Sequence, residues 1–318
     1  MPGDSCSMSG LKLDHAMVMV RDLRAASDDF ARLGFRVLSG GRFPVGIENA
    51  IIPFGVHGPY LELVSVYRPG SSQIQDNEEF LVQGEGAMYV GLEVTSAAEV
   101  AKRLRGVGLE IGGPTSETIQ PEGGHEAPLA LWHTVTIQHG ASPRSDPLFF
   151  TEYNTARRTE WWKRQEERGV AQPNGAQSFS SAWLAVDDFD EALVRYEALG
   201  LRRVRELQLD WLQSRAVELA LDRGSLLLLE GTSPDGPLAA LLALHESKIE
   251  LPGVSLEVSS VDSALTSMSP DLARMLEPSA GPWGRNVVIP PELGHGMWVE
   301  LFERPGRTRV VSSLPTHS

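Results

Sequence analysis

Apolar and polar positions recur along the chain in a fixed order: an alternating segment, a segment with helical periodicity, then further alternating segments. Residues 13–20 (LDHAMVMV) read as a strand, followed by Arg21-Asp22-Leu23 and a helix that gathers Ala26, Phe30 and Leu33 on one face. Asp22 can cap that helix and Gly34 can end it. Strands are predicted at residues 35–38, 49–53 and 60–66 (YLELVSV), separated by turns that carry Gly and Pro. The unit is therefore βαβββ.

The same order returns at residues 88–94 (MYVGLEV), where Ser96 and Glu99 have capping-box spacing before a helix bearing Val100 and Leu104. Gly106 or Gly108 ends that helix, and residues 148–153 (LFFTEY) form the last strand of the copy. A third copy opens at residues 182–186 (AWLAV), continues through Ala192, Leu193, Tyr196 and Leu199 to Gly200, and closes at residues 226–230 (LLLLE). The fourth opens at 254–258 and closes at 297–302 (MWVELF). Val20 and Val186 stand 166 positions apart, as do Glu62 and Leu228, so the first and third copies superpose without a gap. The fold class is α+β with four modules. The boundaries are a disordered start (1–10), a first domain (11–154), a linker (155–177), a second domain (178–305) and a tail (306–318). The linker is rich in charge and Trp and ends in a Pro-Asn-Gly turn.

With 42% hydrophobic and 22% charged residues, the 318-residue chain has a globular composition, which excludes disordered, collagen-like and coiled-coil classes. Lys and Arg number 28 against 42 Asp and Glu, a net charge of −14 that repels phosphate backbones, so no nucleic-acid partner is expected. Cys6 is the sole cysteine, which leaves no intramolecular disulfide and no thiolate metal cage and suits a reducing cytosol. The first ten residues lack a signal-peptide pattern, and the apolar run at 238–244 is too short to span a bilayer. A cytoplasmic protein without a membrane partner is expected.

The βαβββ unit, the opening LDHAMVMVRDL, the Leu33-Gly34-Phe35 step and YLELV resemble the vicinal oxygen chelate superfamily of glyoxalases, bleomycin-resistance proteins and extradiol dioxygenases. Residues 46–50 (GIENA) and 172–176 (QPNGA) are similar to its glyoxalase-like group. The resemblance implies that modules pair their mixed sheets into two cup-shaped domains. It also implies one divalent metal on a cup floor, held by residues of first and last strands. The matching positions of the first domain are His15, Glu62, Tyr89 and Glu152; those of the second are Ser181, Leu228, Gly253 and Glu300. Ser, Gly and Leu are poor ligands, so the second site reads as degenerate, with Glu300 alone remaining.

The residues themselves leave alternatives open. An imidazole on an apolar strand needs a partner, which a metal or a neighbouring carboxylate could supply for His15. Alternation puts Glu62 on the face of Tyr60 and Val64, and puts Glu152 beside Phe150, as a third ligand or general base; an ion pair with Arg157 or Arg158 is the competing reading. Glu48, Asn49, Tyr60, Tyr89, His133 and Phe150 are expected to line the substrate site, His133 sharing a strand face with Val135, Ile137 and His139. Oxygen and nitrogen ligands suit Zn, Mn, Fe, Ni or Co without distinguishing them.

The leading functional reading is a metal-dependent lyase or isomerase acting on a small oxygen-rich molecule, with Glu62 and Glu152 as catalytic carboxylates. The alternative is a metal-free, bleomycin-resistance-like binder. Extradiol ring cleavage fits less well, because only one histidine occupies a ligand position. Further partners beyond a small molecule are limited to a second copy of the chain as a homodimer.

Overall fold

The computed structural model describes residues 10–119, 129–138, 146–245 and 247–305. Residues 1–9 of the expected disordered start (1–10), the tail at 306–318, Cys6 and His139 lie outside the described residues. Four βαβββ copies are present. The first has β1 (Lys12–Met19), α1 (Leu23–Arg32), β2 (Leu38–Arg42), β3 (Ile47–Pro53) and β4 (Tyr60–Val66), followed by α2 (Gln75–Gln83). The second has β5 (Gly86–Glu93), α3 (Ala97–Gly106), β6 (Glu110–Ile119), β7 (Leu129–Gln138) and β8 (Leu148–Tyr153), and α4 (Thr155–Arg168) leads on to the third. That copy has β9 (Ala176–Val186), α5 (Phe189–Ala198), β10 (Arg202–Leu209), β11 (Ser214–Ala220) and β12 (Ser225–Gly231). After α6 (Pro237–Leu244) and β13 (Ile249–Glu250), the fourth has β14 (Gly253–Val258), α7 (Val261–Ser267), α8 (Pro270–Ala273), β15 (Ser279–Gly281), β16 (Gly284–Ile289) and β17 (Trp298–Glu303).

Local chemistry sets the helix ends as the sequence implies. Asp22 accepts from the amides of Arg24 and Ala25, and Ser96 and Asp188 cap α3 and α5 in the same way. The second strand lies at residues 38–42 rather than 35–38. Gly34, in the left-handed region at φ 79°, turns Phe35 into the core, so pairing with β3 begins only at Leu38.

Sequential copies share a sheet. The first sheet runs β2-β3-β4-β1-β5-β8-β7-β6, with β1 parallel to β4 and antiparallel to β5. The second runs β10-β11-β12-β9-β14-β17-β16-β15, with β13 pairing off this path onto β9. The fold is α+β, two mixed-sheet cups built from paired modules.

The helical faces of both sheets share one apolar core, which holds Phe30, Leu104, Phe150, Phe179, Tyr196 and Leu256. The halves also touch through backbone: Gly296, at φ 84°, packs so tightly on residue 85 that a Cβ there would lie 1.8 Å from the Glu85 carbonyl oxygen. The concave faces point away from this core.

The stretch 155–177 contains a packed helix. Asn154 caps α4, and Trp162 is fully buried beside Leu38, Ile51 and Tyr60, across one end of the first cup. Phe80 of α2 covers the other end with Met19, Val64 and Met88.

Candidate active site

Between these two apolar ends lies a polar floor. β1 presents His15, β4 presents Glu62 and β3 presents Asn49 on the same concave face. His15 Nε2 stands 3.6 Å from Glu62 Oε2, and Asn49 Nδ2 donates to Glu62 Oε1 at 2.5 Å. The imidazole lies stacked on Tyr60 with centroids 4.9 Å apart and meets the edge of Phe149 at 5.3 Å. Gly91 makes this fit possible: a Cβ there would stand 2.8 Å from His15 Cε1 and 2.9 Å from Phe149 Cζ. Glu62 keeps 17% of its side-chain surface exposed, so the floor is reachable.

Behind His15 sits a charge network that strand alternation hides. The β1–β5 register shifts between Leu13 and His15, and this bulge turns Asp14 to the side of its neighbour. Asp14 Oδ2 is 2.7 Å from His15 Nδ1 and accepts from the Tyr153 hydroxyl at 2.6 Å; Arg158 of α4 donates to Oδ1. The guanidinium also lies 3.9 Å from the centroid of the Tyr153 ring. Burial by itself would raise the Asp14 carboxyl, but the Arg158 charge, with hydrogen bonds from His15 and Tyr153, outweighs it and holds the group at about 2. Burial pushes the phenols of Tyr60 and Tyr153 up, and the Asp14 charge adds to it. Since the ionised Asp14 only accepts, Nδ1 carries a proton and Nε2 faces Glu62.

Of the residues expected in the site, His15, Glu62, Asn49, Tyr60 and Tyr89 share this face, Tyr89 meeting Phe149 edge-on at 6.2 Å. Glu152, Phe150, Glu48 and His133 do not. Glu152 accepts from the Ala97 amide at the start of α3, on the helical face, so it is neither a third ligand nor a base for this floor. Phe150 is fully buried in the helical core. The phase of β8 is the reason: Phe149, Thr151 and Tyr153 are its cup-side residues. With Tyr60 opposite His15 and Leu148 opposite Val90, the position matching Glu62 is Phe149. Glu48 alternates away from Asn49 and pairs with Arg42 at 2.8 Å. His133 lies across the ladder from Glu152, its Nδ1 2.8 Å from Ser116 Oγ.

The second cup contrasts at the positions of His15 and Glu62, while Asn286 and Glu300 in its other module repeat the Asn49–Glu62 pair at the same register. Ser181 lies opposite Ser225, so the residue matching Glu62 is Leu227, one place before Leu228, and the 166-residue correspondence slips by one between the strands. Trp183, Leu227, Leu229, Trp283 and Phe302 fill this face. Glu300 remains but is enclosed: Ser255 donates to it at 2.7 Å and Asn286 at 2.6 Å, while Trp183 Nε1 donates to Ser255. Burial raises the Glu300 carboxyl in spite of these bonds.

The resemblance to chelating enzymes raises the question of a metal on the first floor. His15 Nδ1 is engaged with Asp14, which leaves Nε2 and Glu62 as donors, and the other two positions hold Tyr89 and Phe149. No group of three His, Cys, Asp or Glu able to hold a metal occurs among the described residues. This donor set does not fit a protein-held divalent cation, which typically takes three or four side chains.

Comparisons with known proteins agree with the architecture. The family model for the glyoxalase-like domain matches residues 13–200, and the chain belongs to that family. No curated protein matches the chain. Among solved structures, a hypothetical protein from Staphylococcus aureus is similar over 92% of this chain and 99% of its own, at 14% identity and TM-score 0.60. A mutant of 4-hydroxymandelate synthase from Streptomyces coelicolor is similar over 94% of both chains, at 12% identity and TM-score 0.59. Methylmalonyl-CoA epimerase from Mycobacterium tuberculosis matches 42% of this chain and 91% of its own, at 20% identity and TM-score 0.36. The first two likenesses concern the fold alone. Among the described residues, no helix is long and apolar enough to cross a membrane.

Proposed function

We propose that the first cup binds a small oxygen-bearing molecule and moves a proton on it, in the manner of a lyase or isomerase, with Glu62 and His15 as the proton-transfer pair. The reading rests on one observation: three strands bring Glu62, His15 and Asn49 together on an accessible floor, whereas in the second cup the Glu300–Asn286 pair is enclosed and Leu and Trp fill the face. With Nδ1 held by Asp14, Nε2 is left as an acceptor 3.6 Å from Glu62 Oε2, and Glu62 can take a proton as a substrate C–H is broken and return it as the bond re-forms. Met17, Tyr89 and Phe149 offer an apolar wall for the carbon skeleton. No step requires a metal. A metal-dependent form would have to work with two side-chain donors.

A second reading has its own support. One carboxylate amid Tyr60, Tyr89 and Phe149 also suits sequestration of an aromatic or cationic compound without turnover. The two separate by hydrogen–deuterium exchange: the protein is incubated in D2O with a panel of small α-hydroxycarbonyl and 2-oxo compounds, with and without chelator, and carbon-bound deuterium is followed by NMR. Exchange that ignores chelator and falls at least about 100-fold in Glu62→Gln is the expected result. Exchange abolished by chelator and restored by a divalent cation would return the metal to the site. Binding without exchange, lost in Glu62→Gln, would establish the sequestering reading instead.

A further inference from the structure

Asp14, Arg158 and Tyr153 form a buried unit behind the proton-transfer pair. Asp14 comes from the β1 bulge, Tyr153 from the end of β8 and Arg158 from the helix that joins the two halves of the chain. Arg158 occupies Oδ1, while His15 and Tyr153 share Oδ2. Fixing an ion pair in a dry setting costs desolvation, and replacing one by apolar residues is often neutral or stabilising, so fold stability alone does not call for this arrangement. What the unit does accomplish is to leave His15 a single tautomer, with an unprotonated Nε2 at 3.6 Å from Glu62 Oε2.

We propose that Asp14 is the positioning residue of this site, held in place by Arg158, so that the inter-domain helix α4 is a working part of the first cup. This inference rests on the reading of His15 and Glu62 as the proton-transfer pair. Without Asp14, the nearest acceptor for the ring is Glu62, and the proton moves to Nε2, where His15 can no longer act as acceptor toward it. An asparagine at position 14 gives the same outcome. Its oxygen must face the Arg158 donor, which leaves its NH2 against Nδ1, and Nδ1 is forced to accept.

The test uses the full chain, free of ligand, in mildly alkaline buffer, with the His15 tautomer read from its ring 15N chemical shifts. Asp14→Asn and the double variant Asp14→Leu, Arg158→Met are compared with wild type; the double variant removes both charges together and so leaves no unpaired guanidinium. Wild type is expected to be protonated at Nδ1 and both variants at Nε2. On a substrate found in the exchange panel, kcat should fall about 10²- to 10⁴-fold with KM moved by no more than about twofold. A folded variant of either kind that keeps its proton on Nδ1 overturns the proposal, because a merely structural Asp14 would change melting temperature and leave the tautomer alone. If the tautomer inverts while no compound exchanges even with wild type, the positioning role stands and the proton-transfer reading fails.

Discussion

The two cups of this chain share strand order, crossover helices and one common core, yet their concave faces have opposite chemistry. The first keeps His15, Glu62 and Asn49 on an accessible floor between two apolar ends, whereas the second closes over Trp183, Leu227, Trp283 and Phe302 with Glu300 enclosed. The second cup folds with Glu300 enclosed by Ser255 and Asn286 and with Leu227 where the first cup has Glu62, so the architecture does not require an accessible carboxylate on the floor. On the proposed reading, a ligand rather than the fold accounts for the accessible polar groups of the first cup. The difference also shows how duplicated modules diverge: one cup keeps its polar groups within reach of solvent, and the other encloses Glu300 and Asn286 under apolar side chains.

The sharpest way to break this comparison is to give the second cup the first cup's carboxylate. Leu227→Glu places an unpaired charge among Trp and Leu side chains and should cost about 3–5 kcal/mol in urea unfolding. A loss below about 1 kcal/mol would mean that the second face has room or partners for a charge, and the contrast between the cups would disappear.

A smaller effect follows from Asp14. Its carboxyl is held down to about 2 in the folded chain against an ordinary value of 3.8, so the folded state binds this proton less readily than the unfolded one. The resulting stability is present above about pH 4 and is lost as pH falls toward 2, in total on the order of 2 kcal/mol. Acid titration of wild type against Asp14→Asn should therefore show the wild-type advantage shrinking across that window. An unchanged difference would mean that Asp14 does not titrate as a buried partner of Arg158.

Glu300 should behave with the opposite sign and the smallest amplitude. Burial raises its carboxyl, so the folded state binds the proton more tightly, and its contribution declines as pH rises above the unfolded value. Glu300→Gln keeps a hydrogen-bonding group between Ser255 and Asn286 and removes the charge. A gain of under about 1 kcal/mol at neutral pH, with a flatter dependence of melting temperature on pH, is expected. A marked loss of stability would show that the second cup depends on an ionised Glu300.

The sequence carried most of the architecture and part of the site. Periodic apolar positions, helix caps at Asp22 and Ser96, and the recurrence of one unit were enough for the four copies and their order. His15 and Glu62 were legible because each is a polar residue at an apolar strand position near the matching end of one module. Glu152 and Phe150 were misplaced because LFFTEY carries aromatic residues in both phases. A central strand is buried on both faces, so hydrophobicity alone does not say which face looks into the cup.

Local pattern thus determined which segments become strands and helices, since backbone preference and apolar spacing act over a few residues. Tertiary structure alone decided the rest: the bulge that brings Asp14 beside His15, the docking of Arg158 and Trp162 from a segment that reads as a linker, and the slip that puts Leu227 at the position of Glu62. Each depends on register and on contacts between residues far apart in the chain. A single inserted ladder position reverses every side chain beyond it, and period-two alternation has no means of recording where that happens.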